Sequence, residues 1–462
     1  MVFSSPVFLY IFFPFVWLIH SVIPQKLKNG FLMLASLCFY FYGEGFFLTL
    51  MIFTISVTFF SALMIIKHRK TAFTTAFSAI LINLGILAVF KYANFFISQI
   101  NHVTAPFDVT IPETGLHLPV GISFFTFQAV SCIVDIYRNP KAEKPGFIDT
   151  ALYISFFPQL IAGPILRYNN FIPQLKNRMV HYMSFNYGLK RFVYGLAKKV
   201  LIANTLAVPV DKIFMADPGS LDVITAWTGA FLFTLQIYFD FSGYSDMAIG
   251  LGRMFGIKIP ENFNYPLISR SVTEFWRRWH ISLSTWFRDY LYIPMGGSRK
   301  GVFRMYSALW TVFFVCGLWH GASWNFILFG LFHGLVMIIE KAGRLRGWNI
   351  PGFMKRPATF LAVMLIFVVF RSDSLSHFMF FIRAMFNPSG FNLPTFAIDI
   401  KMLVTAAAGA LLIFPLYRIY EKKSGSSLYA KYFETVFLAV LFALSISHSS
   451  MMFADPFIYF RF

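Results

Sequence analysis

The chain has 462 residues, of which 57% are hydrophobic and only 13% are charged, and its formal net charge is +19. An ordinary soluble domain carries about 25% charged residues, so this composition excludes a water-soluble fold of this length. The basic residues lie in short clusters between apolar segments. That pattern is the loop bias of a membrane protein, and it argues against a nucleic-acid partner.

Apolar stretches close to the roughly 20 residues that cross a bilayer recur along the whole chain. The first stretch begins without a basic region or a cleavage site, so we expect a retained span and not a removable signal peptide. The pattern predicts an all-α polytopic membrane protein with about twelve transmembrane helices, in a single integral membrane domain over residues 1–462. Typical stretches lie at 7–23, 46–66, 72–90, 358–370 and 402–417.

The distribution of lysine and arginine predicts the orientation of the spans. Basic loops should be cytoplasmic, and loops without lysine or arginine, together with the acidic loop 207–222, should lie outside. Alternation of the two kinds of loop leaves both termini extracytoplasmic. The basic loops lie at 26–28, 67–70, 138–144, 341–356 and 418–431.

Two segments do not resemble plain spans. Residues 147–172 are interrupted by Pro158, Gly163 and Pro164, and residues 270–297 are rich in charge and tryptophan. Broken backbone at membrane depth is tolerated only where protein buries it or where it lines a wet cavity. We therefore predict re-entrant or interfacial elements beside an internal cavity on the cytoplasmic side.

The second of these segments holds the densest polar cluster. If it is one continuous helix, Arg277, His280, Ser284 and Arg288 fall close to one face. One interpretation is an interfacial amphipathic helix with a tryptophan belt and snorkelling arginines. The other is a cavity wall on which Arg277 and Arg288 bind the phosphates of an acyl donor such as coenzyme A, because guanidinium pairs well with phosphate.

A second cluster surrounds His320, inside an apolar stretch from 306 to 339. An ionisable side chain at membrane depth indicates a functional site, and the pKa of histidine suits proton abstraction. The flanking Gly317 and Gly321 would allow another chain or a substrate to approach closely. The alternative is a histidine hydrogen-bonded between helices, and His333 is better explained as such a packing residue.

A third cluster places Gln236 and Asp240 one helical turn apart, with Asp246 on another face. These carboxylates could form a proton relay or hold the arginines of neighbouring elements, and we favour the structural role. The cysteines are odd in number and do not form a CxxC pair, so neither a disulfide framework nor a zinc site is expected. We also expect no bound cofactor. The cysteines are Cys38, Cys132 and Cys316.

Five long motifs follow one another in a fixed order. They are FFPQLIAGPILRY at 156–168, YFDFSGYSDMAIG at 238–250, ENFNYP at 261–266, FWRRWHISLSTW at 275–286 and GLWHGASWN at 317–325. Together they closely resemble the membrane-bound O-acyltransferase superfamily, and within it the branch that contains the membrane subunit of alginate O-acetylation. The membrane proteins of teichoic-acid D-alanylation and peptidoglycan O-acetylation are relatives of that branch.

The resemblance implies a ring of tilted helices around a thinned centre with a tunnel between the two faces. It places the family's catalytic histidine at His320 and its second characteristic histidine at His280. His320 would then be a general base, and His280 would orient the reacting groups or stabilise the oxyanion. The family resemblance also implies a bacterial plasma membrane location and a cytoplasmic thioester donor such as acetyl-CoA. The expected partners are a periplasmic protein of the SGNH-hydrolase type and a polysaccharide acceptor.

The C-terminal motif 455–462 is a compact aromatic run on the predicted extracytoplasmic side. One interpretation is an aromatic interfacial anchor. The resemblance suggests another, because a similar terminal motif occurs in the related acylation systems. On that reading, the hydroxyl of Tyr459 carries the acetyl group between the tunnel and the periplasmic partner.

Three other functions compete with polysaccharide acetylation. In a proton-coupled transporter, His320, Asp240 and Asp246 would form an ion path. A non-catalytic scaffold for envelope assembly would not need His320 at all. A lipid O-acyltransferase of the same superfamily would transfer the acyl group to membrane lipid.

Overall fold

The computed structural model describes residues 2–176, 178–217, 221–348, 350–387, 399–416 and 428–451, and within those ranges every regular element is a helix. The expectation of an all-α fold is therefore confirmed for the described part of the chain. The first helices are α1 (Phe13–Val22), α2 (Lys28–Glu44), α3 (Leu48–Lys67), α4 (Ala72–Thr104), α5 (Ile122–Arg138), α6 (Phe147–Ser155), α7 (Phe157–Leu160), α8 (Tyr168–Lys176), α9 (Tyr182–Ala197) and α10 (Asn204–Phe214).

The remaining helices follow in the second half of the chain. π-helical turns precede α1 (Phe8–Phe12), connect α9 with α10 (Lys198–Ala203) and follow α13 (Arg288–Tyr292). The helices are α11 (Val223–Met254), α12 (Val272–Arg278), α13 (Ile281–Phe287), α14 (Val302–His320), α15 (Trp324–Leu345), α16 (Gly352–Arg371), α17 (Leu375–Met385), α18 (Ile400–Leu412) and α19 (Leu428–Met451).

Seven described segments are long and apolar enough to cross a membrane. The first of them holds two helices, α2 and α3, joined by a 3-10 turn (Gly45–Phe47) whose first residue, Gly45, has a φ of +53°. The total of about twelve spans stays a prediction. The segments are Gln25–Lys67, Arg69–Phe107, Tyr182–Phe214, Val302–His320, Trp324–Leu345, Gly352–Arg371 and Tyr429–Ser450.

Helix α4 shows how such a span divides its surface. Phe73, Phe77 and Leu81 follow one another at intervals of four residues and are 67%, 57% and 60% exposed. The small side chains of Ala72 and Ala76 are buried against the rest of the protein. A soluble protein would hide such a phenylalanine and leucine stripe, whereas a hydrocarbon environment accepts it.

The chain divides into two compact units. Unit 1 consists of Met1–Leu189 and Ala248–Pro260, and unit 2 of Lys190–Met247 and Glu261–Phe462. In unit 1, α5 packs against both α3 and α4 and is buried along almost its whole length. The expectation of a single integral membrane domain over residues 1–462 stays a prediction.

The predicted break in residues 147–172 is confirmed in unit 1. Helices α6 and α7 are separated at Phe156, and the chain is irregular from 161 to 167 before α8 begins. Buried side chains bind the freed backbone groups: Ser36 Oγ accepts from the Phe157 N–H at 3.1 Å, and the Tyr153 hydroxyl donates to the Leu166 carbonyl at 2.9 Å. These bonds allow irregular backbone in an apolar interior.

In unit 2, α14 and α15 form a hairpin whose backbones touch. A Cβ atom added at Gly330 would lie 2.1 Å from the Phe313 carbonyl oxygen, and one at Gly317 would lie 2.4 Å from that of Phe326. At Gly321 an added Cβ would meet the Phe326 ring at 2.2 Å. The neighbour that approaches the glycines beside His320 is therefore α15 of the same chain. It is not the substrate or the second chain that the sequence suggested.

We expect Gly330→Ala to lower the melting temperature of the purified protein, since its Cβ would force the hairpin apart. Overpacking of this kind costs about 1–3 kcal/mol. The matched control is Gly85→Ala in α4, where an added Cβ meets no atom within 4 Å. Thermal unfolding in detergent should separate the two variants, and equal melting temperatures would show that the close backbone contact does not stabilise the protein.

Candidate active site

Two short helices carry the polar cluster of residues 270–297. Ser271 starts α12 by accepting a hydrogen bond from the Glu274 N–H at 3.0 Å, as an N-cap serine does. Helix α12 ends at Arg278 and α13 begins at Ile281, so the chain breaks at Trp279 and His280. At this break His280 has a φ of +43°, in the left-handed region that a non-glycine residue rarely adopts.

The single helical face expected for this segment is therefore wrong, because the break turns the side chains apart. Arg277 and Arg288 are exposed, whereas the imidazole of His280 is fully buried. The Arg288 guanidinium forms an ion pair with Asp289 at 2.7 Å, and that partner raises the pKa of Arg288. The assignment of the two arginines to a phosphate-bearing donor stays a prediction.

The ring of His280 is held by one amide and two aromatic side chains. Its Nδ1 lies 3.2 Å from Asn262 Oδ1, and the ring centroids of Phe241 and Trp319 lie 4.6 and 5.8 Å away. His280 lies outside the seven candidate spans, and burial lowers its pKa to about 3. The imidazole is therefore neutral at pH 7.

His320 is the last residue of α14 and is 5% exposed. Its ring is enclosed by Trp319, Phe329 and Phe370 at centroid distances of 5.0, 5.3 and 5.4 Å, all close to perpendicular. Because Trp319 contacts both imidazoles, the structure brings His280 and His320 against the same indole ring. The two histidines singled out in the sequence thus belong to one buried cluster.

A third histidine extends the same cluster. His333 on α15 is fully buried, and its ring lies 4.9 Å from Phe329 and 5.2 Å from Trp276. Phe275 and Phe313 stack against it. This aromatic enclosure supports the packing interpretation, although the packing is with rings and not through hydrogen bonds between helices: neither ring nitrogen has a hydrogen-bond partner among the described residues.

A neutral imidazole inside aromatic walls can accept a proton while water is kept away. Exclusion of water protects reactive groups from hydrolysis and strengthens every polar contact within the site. Across the residues that the structure describes, three or more His, Cys, Asp or Glu side chains do not gather at any point in a way that could hold a metal ion.

The carboxylates of α11 are engaged in ion pairs. Asp240 Oδ1 lies 2.7 Å from Lys199 Nζ, and both side chains are almost completely buried. Asp246 pairs with Lys198 and with Arg191, each at 2.7 Å. These contacts support the structural role over the proton relay.

The two lysines that bind Asp240 and Asp246 were not predicted from the sequence. Lys198 and Lys199 stand side by side inside the candidate span Tyr182–Phe214, and a charge within an apolar span is a signal that could have drawn attention to them. A role for Asn262 was not predicted either, although this residue lies within the ENFNYP motif. The contacts of Asn262 with His280 depend on folding across 18 residues, which spacing alone does not predict.

We expect Asp240→Asn to destabilise the protein, because it leaves the Lys199 ammonium buried without its carboxylate. Breaking one half of a buried pair costs about 3–5 kcal/mol. The double variant Asp240→Asn, Lys199→Met removes both charges and should regain most of the loss. Thermal unfolding of the two variants provides the measurement, and a double variant that is less stable than Asp240→Asn would contradict this explanation.

The match with known proteins covers the region of this cluster. A profile described as MBOAT, membrane-bound O-acyltransferase family, matches residues 138–370, which include all three histidines of this cluster. A probable alginate O-acetylase of Pseudomonas putida is 43% identical over 385 residues, covering 81% of this chain and 78% of that protein. A peptidoglycan O-acetyltransferase of Helicobacter pylori is 35% identical over 432 residues, covering 85% and 81%. A teichoic acid D-alanyltransferase of Bacillus subtilis is 30% identical over 286 residues, covering 55% and 67%.

The C-terminal motif 455–462, with Tyr459, lies outside the described residues. Its proposed role as an acetyl carrier therefore stays a prediction.

Proposed function

The chain belongs to the membrane-bound O-acyltransferase family and is a multi-pass membrane acyltransferase, and we propose that it moves acetyl groups from a cytoplasmic thioester, such as acetyl-CoA, across the bacterial plasma membrane. The acceptor is an extracytoplasmic polysaccharide that resembles alginate. Relatives named for alginate and peptidoglycan O-acetylation, each covering more than four fifths of this chain, support an acetyl group and an envelope polymer.

The observation that carries this proposal is the buried pair of histidines beside Trp319. His320 has the environment of a general base for acyl transfer: its ring lies at the end of an apolar helix and is enclosed by aromatic side chains. General bases of this kind typically contribute about 10²–10⁴-fold to the rate.

The reaction is a displacement at the thioester carbonyl. His320 takes the proton of the acceptor hydroxyl as the hydroxyl oxygen forms a bond to the carbonyl carbon. The carbon–sulfur bond then breaks, and the departing thiolate takes the proton back from the His320 imidazolium. Atoms and charge balance without a metal ion or a further cofactor.

The topology we propose comprises about twelve spans with both termini extracytoplasmic, around a central tunnel. A charged donor then stays in the cytoplasm while only the acetyl group crosses, which avoids moving phosphate through hydrocarbon. The exposed guanidiniums of Arg277 and Arg288 are candidates for binding the donor phosphates. A periplasmic partner of the SGNH-hydrolase type completes transfer to the polysaccharide.

The ion pairs of α11 count against a proton-coupled transporter. A relay needs carboxylates that exchange protons, and Asp240 and Asp246 are each held by cationic side chains at 2.7 Å. A lipid acyltransferase of the same family is distinguished by product: radiolabel from acetyl-CoA would enter lipid and not polysaccharide.

We expect His320→Ala to give a folded, membrane-inserted protein that no longer transfers acetyl groups, because the base is removed while the hairpin contacts through Gly317 and Gly330 remain. The measurement is radiolabel passing from acetyl-CoA to polysaccharide in membranes that contain equal amounts of each variant.

The matched control for this experiment is His333→Phe, which keeps an aromatic ring inside the same enclosure. It should retain most of the wild-type transfer, since we assign His333 to packing. Product formation by His320→Ala at more than a few per cent of wild type would remove His320 from the reaction, and a loss confined to His333→Phe would move the base to position 333.

For the C-terminal motif we expect Tyr459→Phe to abolish polysaccharide acetylation at an unchanged protein level. An anchor needs only the aromatic ring, whereas an acetyl carrier needs the hydroxyl oxygen. Mass spectrometry of the C-terminal peptide should find an added acetyl group in the wild type alone. Wild-type acetylation by Tyr459→Phe would leave the motif as an anchor.

A further inference from the structure

The hydrogen bond between His280 and Asn262 has a defined direction. Asn262 Oδ1 accepts from the Ser282 backbone N–H at 3.1 Å and from the Ser282 hydroxyl at 2.9 Å. A backbone N–H can only donate, so the atom facing it is the amide oxygen and not the nitrogen. The amide nitrogen of Asn262 donates in the opposite direction, to Ser245 Oγ at 3.2 Å.

This geometry determines which nitrogen of His280 carries the proton. Because Oδ1 accepts, the Nδ1 of His280 at 3.2 Å must be the N–H that donates to it. A neutral imidazole has one N–H, so Nε2 carries a lone pair. Within the described part of the chain, Nε2 is completely buried and has no hydrogen-bond partner.

The surroundings keep the ring in this neutral form. Its aromatic neighbours are uncharged, and burial without an acidic partner disfavours the imidazolium. The carboxylates on the elements that pack against the ring are bound to cations. They are Asp240 and Asp246 of α11 and Glu261 beside Asn262, which pair with Lys199, with Lys198 and Arg191, and with Arg191 respectively. The other titratable or charged groups on these elements are Tyr238, Tyr244 and Arg253 of α11 and Arg304, Tyr306, Cys316 and His320 of α14.

We propose that Asn262 is a positioning residue that holds His280 as a hydrogen-bond acceptor at Nε2, where it binds a donor group of the substrate. In this tautomer Nε2 of His280 cannot donate to an oxyanion, which is one of the two roles that the family resemblance suggested for it; the other, orientation of the reacting groups, is the one proposed here. The substrates offer two donors: the hydroxyl of the acceptor, and the amide N–H next to the thioester of a pantetheine arm. This inference rests on the proposed function, since both donors belong to the acetyl-transfer reaction.

The direct test is the protonation state of the ring. Protein carrying ¹⁵N-labelled histidine, in lipid bilayers at pH 7, should show His280 with a protonated Nδ1 and a bare Nε2. The signal is assigned by its absence from His280→Gln. A protonated Nε2 in the wild type would overturn the proposal.

Two variants at position 262 test the function of the contact. Asn262→Leu removes the acceptor, so a fraction of His280 should shift its proton to Nε2, and acetyl transfer should fall about tenfold or more, as expected when a histidine is held in the wrong tautomer. If Asn262→Leu does not fold, Asn262→Asp serves instead, because its carboxylate still accepts from Ser282.

The carboxylate of Asn262→Asp favours the imidazolium and raises the pKa of His280. At neutral pH the variant should therefore carry protons on both ring nitrogens and lose activity, and it should recover as the pH rises above the new pKa and the proton leaves. A purely structural Asn262 would give normal activity and an unchanged pH profile in Asn262→Asp, and that result would overturn the proposal.

The matched control is Ser245→Ala, which removes the acceptor of the Asn262 amide nitrogen and leaves the contacts of Oδ1 in place. It should keep both the tautomer and the turnover.

An increase in KM for the thioester in Asn262→Leu identifies the amide N–H as the bound group, and an increase in KM for the acceptor identifies the hydroxyl. His320→Ala in the same preparation tests the proposed function separately from the positioning role of Asn262. If His320→Ala retains activity, the proposed function fails. If it is inactive while the Asn262 variants keep the wild-type tautomer and rate, only the positioning role fails.

Discussion

The close contact of two helix backbones is the constraint on which the buried site depends. Gly317 on α14 and Gly330 on α15 carry no side chain, so the backbone of each helix packs against a carbonyl oxygen of the other. This contact places His320 at the end of α14 next to Phe329 of α15, and α15 in turn packs against α12 before the break at His280. Side chains of ordinary size at these two positions would separate the elements that carry the three histidines.

The second constraint is that buried charges are paired with opposite charges. Lys199 and Asp240 lie in an apolar interior, where an isolated charge would cost several kcal/mol, about the whole stability of a small domain. Their mutual contact offsets much of that cost and connects α11 to the π-helical turn after α9. In unit 2 these ion pairs connect helices, whereas His280, His320 and His333 lie among aromatic rings. Of the two, only the histidine cluster has the chemistry of a general base.

Much of this organisation could be predicted from the sequence, because it depends on residue type and not on distance. Apolar length predicted the helices, proline and glycine predicted the break between 156 and 167, and the position of His320 in an apolar stretch predicted its burial. The break at His280 could not be predicted, because helical periodicity continues through it and the left-handed conformation at His280 accompanies contacts with Asn262, 18 residues away. For the same reason the arginines were assigned to the face of His280, while the partners of Asp240 and Asp246 were not recognised.

The left-handed backbone at His280 has a consequence for how sequences can vary at this point. Most side chains are strained in that region, whereas glycine is not and asparagine tolerates it well. Position 280 therefore selects residues by backbone geometry as well as by ring chemistry, and an alanine there removes the imidazole while keeping the strain. Substitution by a β-branched residue remains unfavourable even in a protein that no longer needs the imidazole. A related protein that has lost acyl transfer should therefore still carry glycine, asparagine or histidine at this turn.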